Sequence, residues 1–239
     1  MKTKISQKIS IKQTKTSARP KFYDKKKLLL ELIPLLIFII MLIGAIVYYP
    51  RVPNTIPTHW DASGKANGFS DKSMIFFVPA IFLFILILFF ILPLMEVFRD
   101  NMIKIYKYYY AFKIFFSIFF LVLFIATLMP PLGYNINVSY VVIAMIAILF
   151  IAMGFIFPKI KRNFMFGIRT GWTMSSDAVW NKTHKIGGIL FVALGLVTLI
   201  LLFLLKLETL FFTFLILTML VSIFLVFYSY YLYHKMIKS

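Results

Sequence analysis

The chain has 239 residues, 62% hydrophobic and only 14% charged, with a formal net charge of +18. Ordinary soluble domains carry about 25% charged residues, so this composition excludes one and is that of a membrane protein. The positive balance does not mark a nucleic-acid binder, since no stretch free of long apolar runs is large enough to fold alone behind a basic face. Cysteine is absent, which removes disulfides and thiolate metal sites.

Residues 1–27 form a basic tail, "KISQKISIKQTKTSARPKFYDKKK" at its heart. Low hydrophobicity and high charge predict disorder in isolation and a cytoplasmic tail resting on anionic lipid. A docking arm for a cytoplasmic partner is the sharper alternative. A secretory signal is not expected, because the polar stretch and the apolar run after it are both too long.

Crossing ~30 Å of hydrocarbon takes roughly 20 apolar residues in a helix. Six stretches qualify, at 28–49, 74–97, 111–129, 138–157, 189–205 and 210–231. The fifth is short as an apolar run and extends backwards through Lys185–Gly188. Pro34, Pro79 and Pro93 lie near span ends, where a missing N–H matters least. The expected fold is therefore an all-α polytopic bundle of six transmembrane helices.

Lysine and arginine set its expected orientation. The tail, residues 98–113, residues 158–185 and the C-terminus hold 22 of the 26, and the opposite side holds Arg51, Lys65, Lys72 and Lys206. The positive-inside rule then puts both termini in the cytoplasm. Three regions follow: the tail (1–27), a first helix pair (28–97) with an extracellular loop at 50–72, and a four-helix region (98–239) with a cytoplasmic loop at 158–188.

The extracellular loop between helices 1 and 2 reads "YPRVPNTIPTHWDASGKANGFSDK". Its prolines force extended backbone before them, and "DASG" and "ANG" are turn signals. A small ordered turn or hairpin with Trp60 at the interface is expected. His59 and Asp61 suggest a metal or acid/base pair on paper. The chain has three histidines and no second ligand cluster on this side, so a structural histidine is the favoured reading.

The cytoplasmic loop carries "NFMFGIRTGWTMSSDAVWNKTHKIGG". Ser175 or Ser176 suits a helix N-cap, with Asp177 in the first turn. Trp180, Thr183, His184, Gly187 and Gly188 then share one face of a helix continuing into the fifth span. Gly195 keeps that face small further along, so that a neighbour can approach closely. Arg169 between Gly167 and Gly171 is too costly to face lipid. It either snorkels to headgroups or lines a cavity, and both readings stay open.

At these two loops the chain resembles the SdpI family of bacterial membrane proteins. The family's inner motif, approximately N-x-x-x-G-I-R-T-P-W-T-L followed by a tryptophan, T-H-R/K and a glycine, is matched by Asn163, Gly167, Ile168, Arg169, Thr170, Trp172, Thr173, Trp180, Thr183, His184 and Gly187. The outer loop is similar to the small domain that often precedes it, through Pro53, Ile56, Pro57, His59, Trp60, Gly64 and Lys72. Gly171 replaces the usual proline, Met174 a leucine, and Asn67 an aspartate.

The resemblance implies toxin immunity: a non-enzymatic protein of the bacterial cytoplasmic membrane protecting its cell from a secreted membrane-active peptide. Pro57, His59, Trp60 and Gly64 become candidate toxin contacts. Asn163, Gly167, Arg169, Thr170, Trp172, Thr173, Trp180 and His184 form the cytoplasmic signature. The implied partners are the peptide toxin, membrane lipids and, as for the family's founding member, a cytoplasmic transcriptional repressor; direct nucleic-acid binding, cofactors and metals are not implied. A transporter or channel for a small solute or peptide is the alternative. Against it, the spans hold few ionisable groups, Glu31 and Lys113 among them. No intramembrane catalytic set is legible.

Overall fold

A computed structural model of the chain describes residues 22–237. Among the described residues, six helical segments are long and apolar enough to cross a membrane: Lys25–Tyr48, Lys72–Leu94, Arg99–Leu132, Val138–Lys159, Asp177–Leu204 and Leu207–Met236. The expected helical bundle is thus observed, with one small antiparallel sheet inserted between its first two spans. The third and fifth segments start about twelve residues earlier than their apolar runs.

The first span is α1 (Lys25–Leu30) and α2 (Leu32–Tyr48). Asp24 caps α1 by accepting from the Lys27 N–H at 2.9 Å. Strands β1 (Thr55–Trp60) and β2 (Ala66–Asp71) follow, leading through a 3-10 turn into α3 (Phe77–Ile91). Pro34 and Pro79 both sit in first turns, whose N–H groups have no intrahelical partner in any case. α4 (Arg99–Leu128) ends at Pro130–Pro131, and Gly133 takes a left-handed turn with φ +90°. α5 (Val138–Ile156) is capped by Asn137, whose side chain accepts from the Tyr140 N–H. The short α6 (Gly171–Ser175), α7 (Asp177–Leu204) and α8 (Leu207–Ile237) complete the chain.

Alternation of the spans puts the hairpin at one end of the bundle and the 158–188 loop at the other. Near the hairpin, Ile56, Val52 and Ile75 join Met41, Phe82, Phe120 and Phe124 in one buried cluster. Near the loop, Phe22, Met102, Ile105, Tyr106 and Tyr109 pack with Phe157, Ile160 and Trp180. This second cluster explains the early start of α4: tyrosine bodies are apolar enough to bury one face although their hydroxyls lower the hydropathy of the run.

α5 and α7 meet backbone to backbone. A Cβ on Gly154 would lie 2.6 Å from the Gly188 carbonyl oxygen, and one on Gly188 at the same distance from that of Gly154. One on Gly195 would lie 2.5 Å from the Ala147 carbonyl oxygen. The small-residue face expected on the fifth span is this seam.

The tail needs one revision. Residues 1–21 lie outside the described residues, but residues 22–27 are folded onto the bundle. Phe22 is fully buried, edge-on to Tyr106 at 5.4 Å. The Tyr23 hydroxyl donates to the Phe90 carbonyl at 3.2 Å. Lys27 donates to the Phe22 carbonyl at 2.7 Å and covers the Tyr106 ring. Aromatic burial holds a segment whose lysines alone would keep it in water. Just beyond, Lys113 is buried against Glu31, its Nζ 2.7 and 2.8 Å from the two carboxylate oxygens.

Candidate functional site

The hairpin is built from local rules. Thr55 pairs with Asp71, Ile56 with Ser70, Pro57 with Phe69, His59 with Gly68 and Trp60 with Ala66, with irregular register on both sides of His59. Proline has no N–H for a ladder, and Pro57 sits where the register begins to slip. The turn is organised by Asp61. Its carboxylate accepts from the Ser63 hydroxyl at 2.7 Å, the Ser63 N–H at 2.9 Å and the Lys65 N–H at 3.0 Å. The Ser63 hydroxyl bond above all, with the Lys65 N–H next, holds this carboxyl below the usual carboxylate range. Gly64 turns with φ +83°, and a Cβ there would strike the Asn137 side chain and Leu207. The hairpin tip therefore rests on the starts of α5 and α8.

The four candidate contacts occupy different places. Trp60 stands between two clefts. One is an apolar cavity of about 90 Å³ lined by Ile56, Pro57, Val78, Phe124, Thr127 and Leu128 among others. The other lies between β1 and the helix starts, against Val138, Ser139, Val142 and Phe211. His59 borders this second cleft, exposed, and its Nδ1 is hydrogen-bonded to the Asn67 side-chain oxygen. Gly64 shapes the tip and lines neither cleft. The Asn67 departure noted in the sequence thus falls on the partner of His59.

The signature loop is assembled by longer-range contacts. Asn163 is fully buried; its Oδ1 accepts from the Met165 and Phe166 N–H groups at 2.8 and 2.9 Å, and its amide donates to the Lys161 carbonyl. Gly167 has φ +125°, and a Cβ there would lie 2.6 Å from His184 Nε2. The close approach lets the Ile168 N–H donate to that nitrogen at 2.9 Å. His184 Nδ1 lies 2.8 Å from the Trp180 carbonyl. With Nε2 accepting, Nδ1 carries the proton and donates, so one tautomer satisfies both bonds. The ring stacks on Trp180 at 4.0 Å, and Trp180 Nε1 donates to the Ile160 carbonyl at 3.1 Å.

Thr170 and Thr173 form a reciprocal cap on α6. The Thr173 N–H donates to Thr170 Oγ1 at 3.1 Å and the Thr170 N–H to Thr173 Oγ1 at 2.9 Å. Thr170 Oγ1 also meets Ser229 Oγ of α8 at 2.9 Å. Trp172 lies edge-on to Tyr230, 5.2 Å away. Gly171 occupies the first helical position, where proline is favoured, and a Cβ there would meet nothing within 4 Å. Ser176, the second of the two proposed caps, accepts from the Val179 N–H and starts α7. Trp180, Thr183, His184, Gly187 and Gly188 are all buried, as one face requires.

Arg169 is exposed and donates to the Phe164 carbonyl within its own loop. The arginine paired with a carboxylate is Arg162, whose Nε lies 3.0 Å from Asp177 and whose Nη1 donates to the Met174 carbonyl. Sequence reasoning missed Glu96. It is buried and joins two elements, accepting from the Phe98 N–H and, with its other oxygen, from the Phe164 N–H, both at 2.9 Å. Phe98 stacks on Phe164 at 5.4 Å, and Asn101 donates to the Arg162 carbonyl at 2.8 Å. Ser229 was missed as well. An acid inside an otherwise apolar "ILPLMEVF" was the available signal for Glu96; Ser229, within an aromatic-rich helix, gave none.

Comparison with known proteins matches the SdpI/YfhL protein family over residues 159–229 and a domain of unknown function, DUF1648, over residues 36–83. The chain is 22% identical to Immunity protein SdpI of Bacillus subtilis (strain 168) over 171 residues, 72% of this chain and 80% of that protein. No solved structure matches. The resemblance drawn from the motifs is borne out: this is a multi-pass protein of the cytoplasmic membrane, similar to the SdpI family through its signature loop and last two spans.

Proposed function

We propose that the chain is an immunity protein that protects its cell from a secreted membrane-active peptide, acting by binding or sensing and without catalysis. Its likeness to an immunity protein over 72% of the chain, with the family match at the signature loop, carries this reading. In this proposal both termini and the signature loop face the cytoplasm, and the hairpin faces outside. Pro57, Trp60 and His59 border the two clefts there and make first contact, with Gly64 fixing the tip. The signature loop braces the bundle and reports occupancy.

A physical link supports the reporting step. α3 starts on the hairpin, with Val78 lining the apolar cavity, and the turn after it holds Glu96. Glu96 in turn holds the Phe164 backbone. Passing the signal to a cytoplasmic repressor rests on the family likeness alone. In this scheme the three regions read from the sequence are a tail, a sensing helix pair and a four-helix body.

The test is expression in a strain sensitive to related secreted peptides. The wild-type chain protects, and Trp60→Ala loses protection while staying in the membrane. Killing that the wild type leaves unchanged, across the related peptides, would sink the proposal. The Glu31–Lys113 pair, its lysine buried, favours the alternative of transport, since intramembrane charges often mark pathways. Solute flux in reconstituted vesicles, lost in Lys113→Met, would support that reading instead.

A further inference from the structure

The Gly154–Gly188 crossing leaves a dent on the outer surface of the bundle. Its floor is the two glycines; Phe155 and Ile189, each 60% exposed, flank it, and Val192 and Leu196 continue it along α7. Lys159 lines one end. Lys185 stands one turn before Ile189 on the same face of α7, also exposed. Neither lysine has a carboxylate partner among the described residues. Lys159 Nζ has only the Tyr108 ring, 5.8 Å away.

We propose that this groove seats one anionic phospholipid, its acyl chain over Gly154 and Gly188 and its headgroup phosphate between Lys159 and Lys185. From Lys185 to Leu196 an α-helix rises about 16 Å, about half the ~30 Å hydrocarbon thickness and thus the depth of one leaflet. The lysines fall at the end where a headgroup lies. A second copy of the chain is the other natural occupant of a glycine dent. A two-fold contact there would bring lysines against lysines, so the charge favours lipid.

Native mass spectrometry of the full chain released from detergent tests this, with dioleoyl phosphatidylglycerol, dioleoyl phosphatidylcholine or inorganic phosphate added. The wild type should retain one phosphatidylglycerol about tenfold better than phosphatidylcholine, and phosphate alone should not bind. Lys159→Gln with Lys185→Gln should abolish that preference, and Ala193→Trp, which fills the groove from an exposed position, should lower retention of both lipids. Equal retention of the two lipids by the wild type, or an unchanged preference in the lysine variant, overturns the proposal. So does a dimer that Ala193→Trp disrupts, which would assign the groove to a second copy. The lysines are exposed, so their removal decides the matter even if the bulkier variant fails to fold.

Discussion

The hairpin and the signature loop use the same residue types to opposite ends. Each holds a histidine near a tryptophan. His59 is exposed and bonded to its strand neighbour Asn67, whereas His184 is buried, stacked on Trp180 and bonded on both nitrogens. The hairpin turn is closed by bonds spanning at most four residues, all to Asp61. The loop is held from Glu96, His184 and Ser229, between 16 and 68 residues away along the chain. The hairpin turn is thus set by its own residues, while Ile56 and the Gly64 tip seat it on the bundle. A surface fixed from α7, α8 and the turn between α3 and α4 moves only when those elements do.

The largest test of this contrast is Gly167→Ala. The positive φ suits glycine alone and the new methyl would overlap His184, so a loss of about 3 kcal/mol or more is expected, read as a lower melting temperature in detergent. A melting point like that of the wild type would mean the loop is not fixed through His184. Glu96→Gln comes next. Its amide can accept from one N–H but presents its own N–H₂ to the other, leaving a buried donor unmet at a cost of about 2 kcal/mol. If the clamp also carries the signal, protection should fall even where expression is restored by lower temperature.

Gly171→Pro should act in the opposite sense. The position is the first of α6, has room, and gains about 0.5 kcal/mol by restricting the unfolded chain, visible as a small rise in melting temperature; a fall would mean that α6 needs that N–H. The smallest effect belongs to Asp61. Because its carboxyl is held below the usual carboxylate range, its contribution is complete above about pH 4. It is lost as pH falls through the lowered value. The protection of the Ser63 and Lys65 amides, measured against the exchange rate of an unstructured peptide at the same pH, should therefore fall under acid while that of the signature loop is kept. Equal responses in both regions would erase the distinction.

Much of this was legible in the sequence, for physical reasons. Six apolar runs gave six spans because hydrocarbon thickness sets their length. The glycines at 188 and 195 announced a close-packed face on α7 but not its partner α5, and Ser175 or Ser176 with Asp177 announced the start of α7. The charge that a membrane makes expensive was harder to place. Arg169 drew attention as the costly residue, yet it sits exposed on a carbonyl of its own loop. Glu96 passed unnoticed because its two partners are backbone N–H groups, which no side-chain pattern records. Phe22 and Tyr23 were read with the basic tail, since their burial depends on a pocket that α4 supplies 80 residues later. Glu31 and Lys113 were seen separately and their pairing was not.

Gly64 gives the hairpin tip a consequence beyond recognition. The two family segments, 36–83 and 159–229, read as separate modules. Yet the tip of the first leans on Asn137 and Leu207, at the feet of helices belonging to the second half. At the far end Glu96 holds Phe164. Linked at both ends, the halves form a closed frame, and the seam between modules is not a hinge.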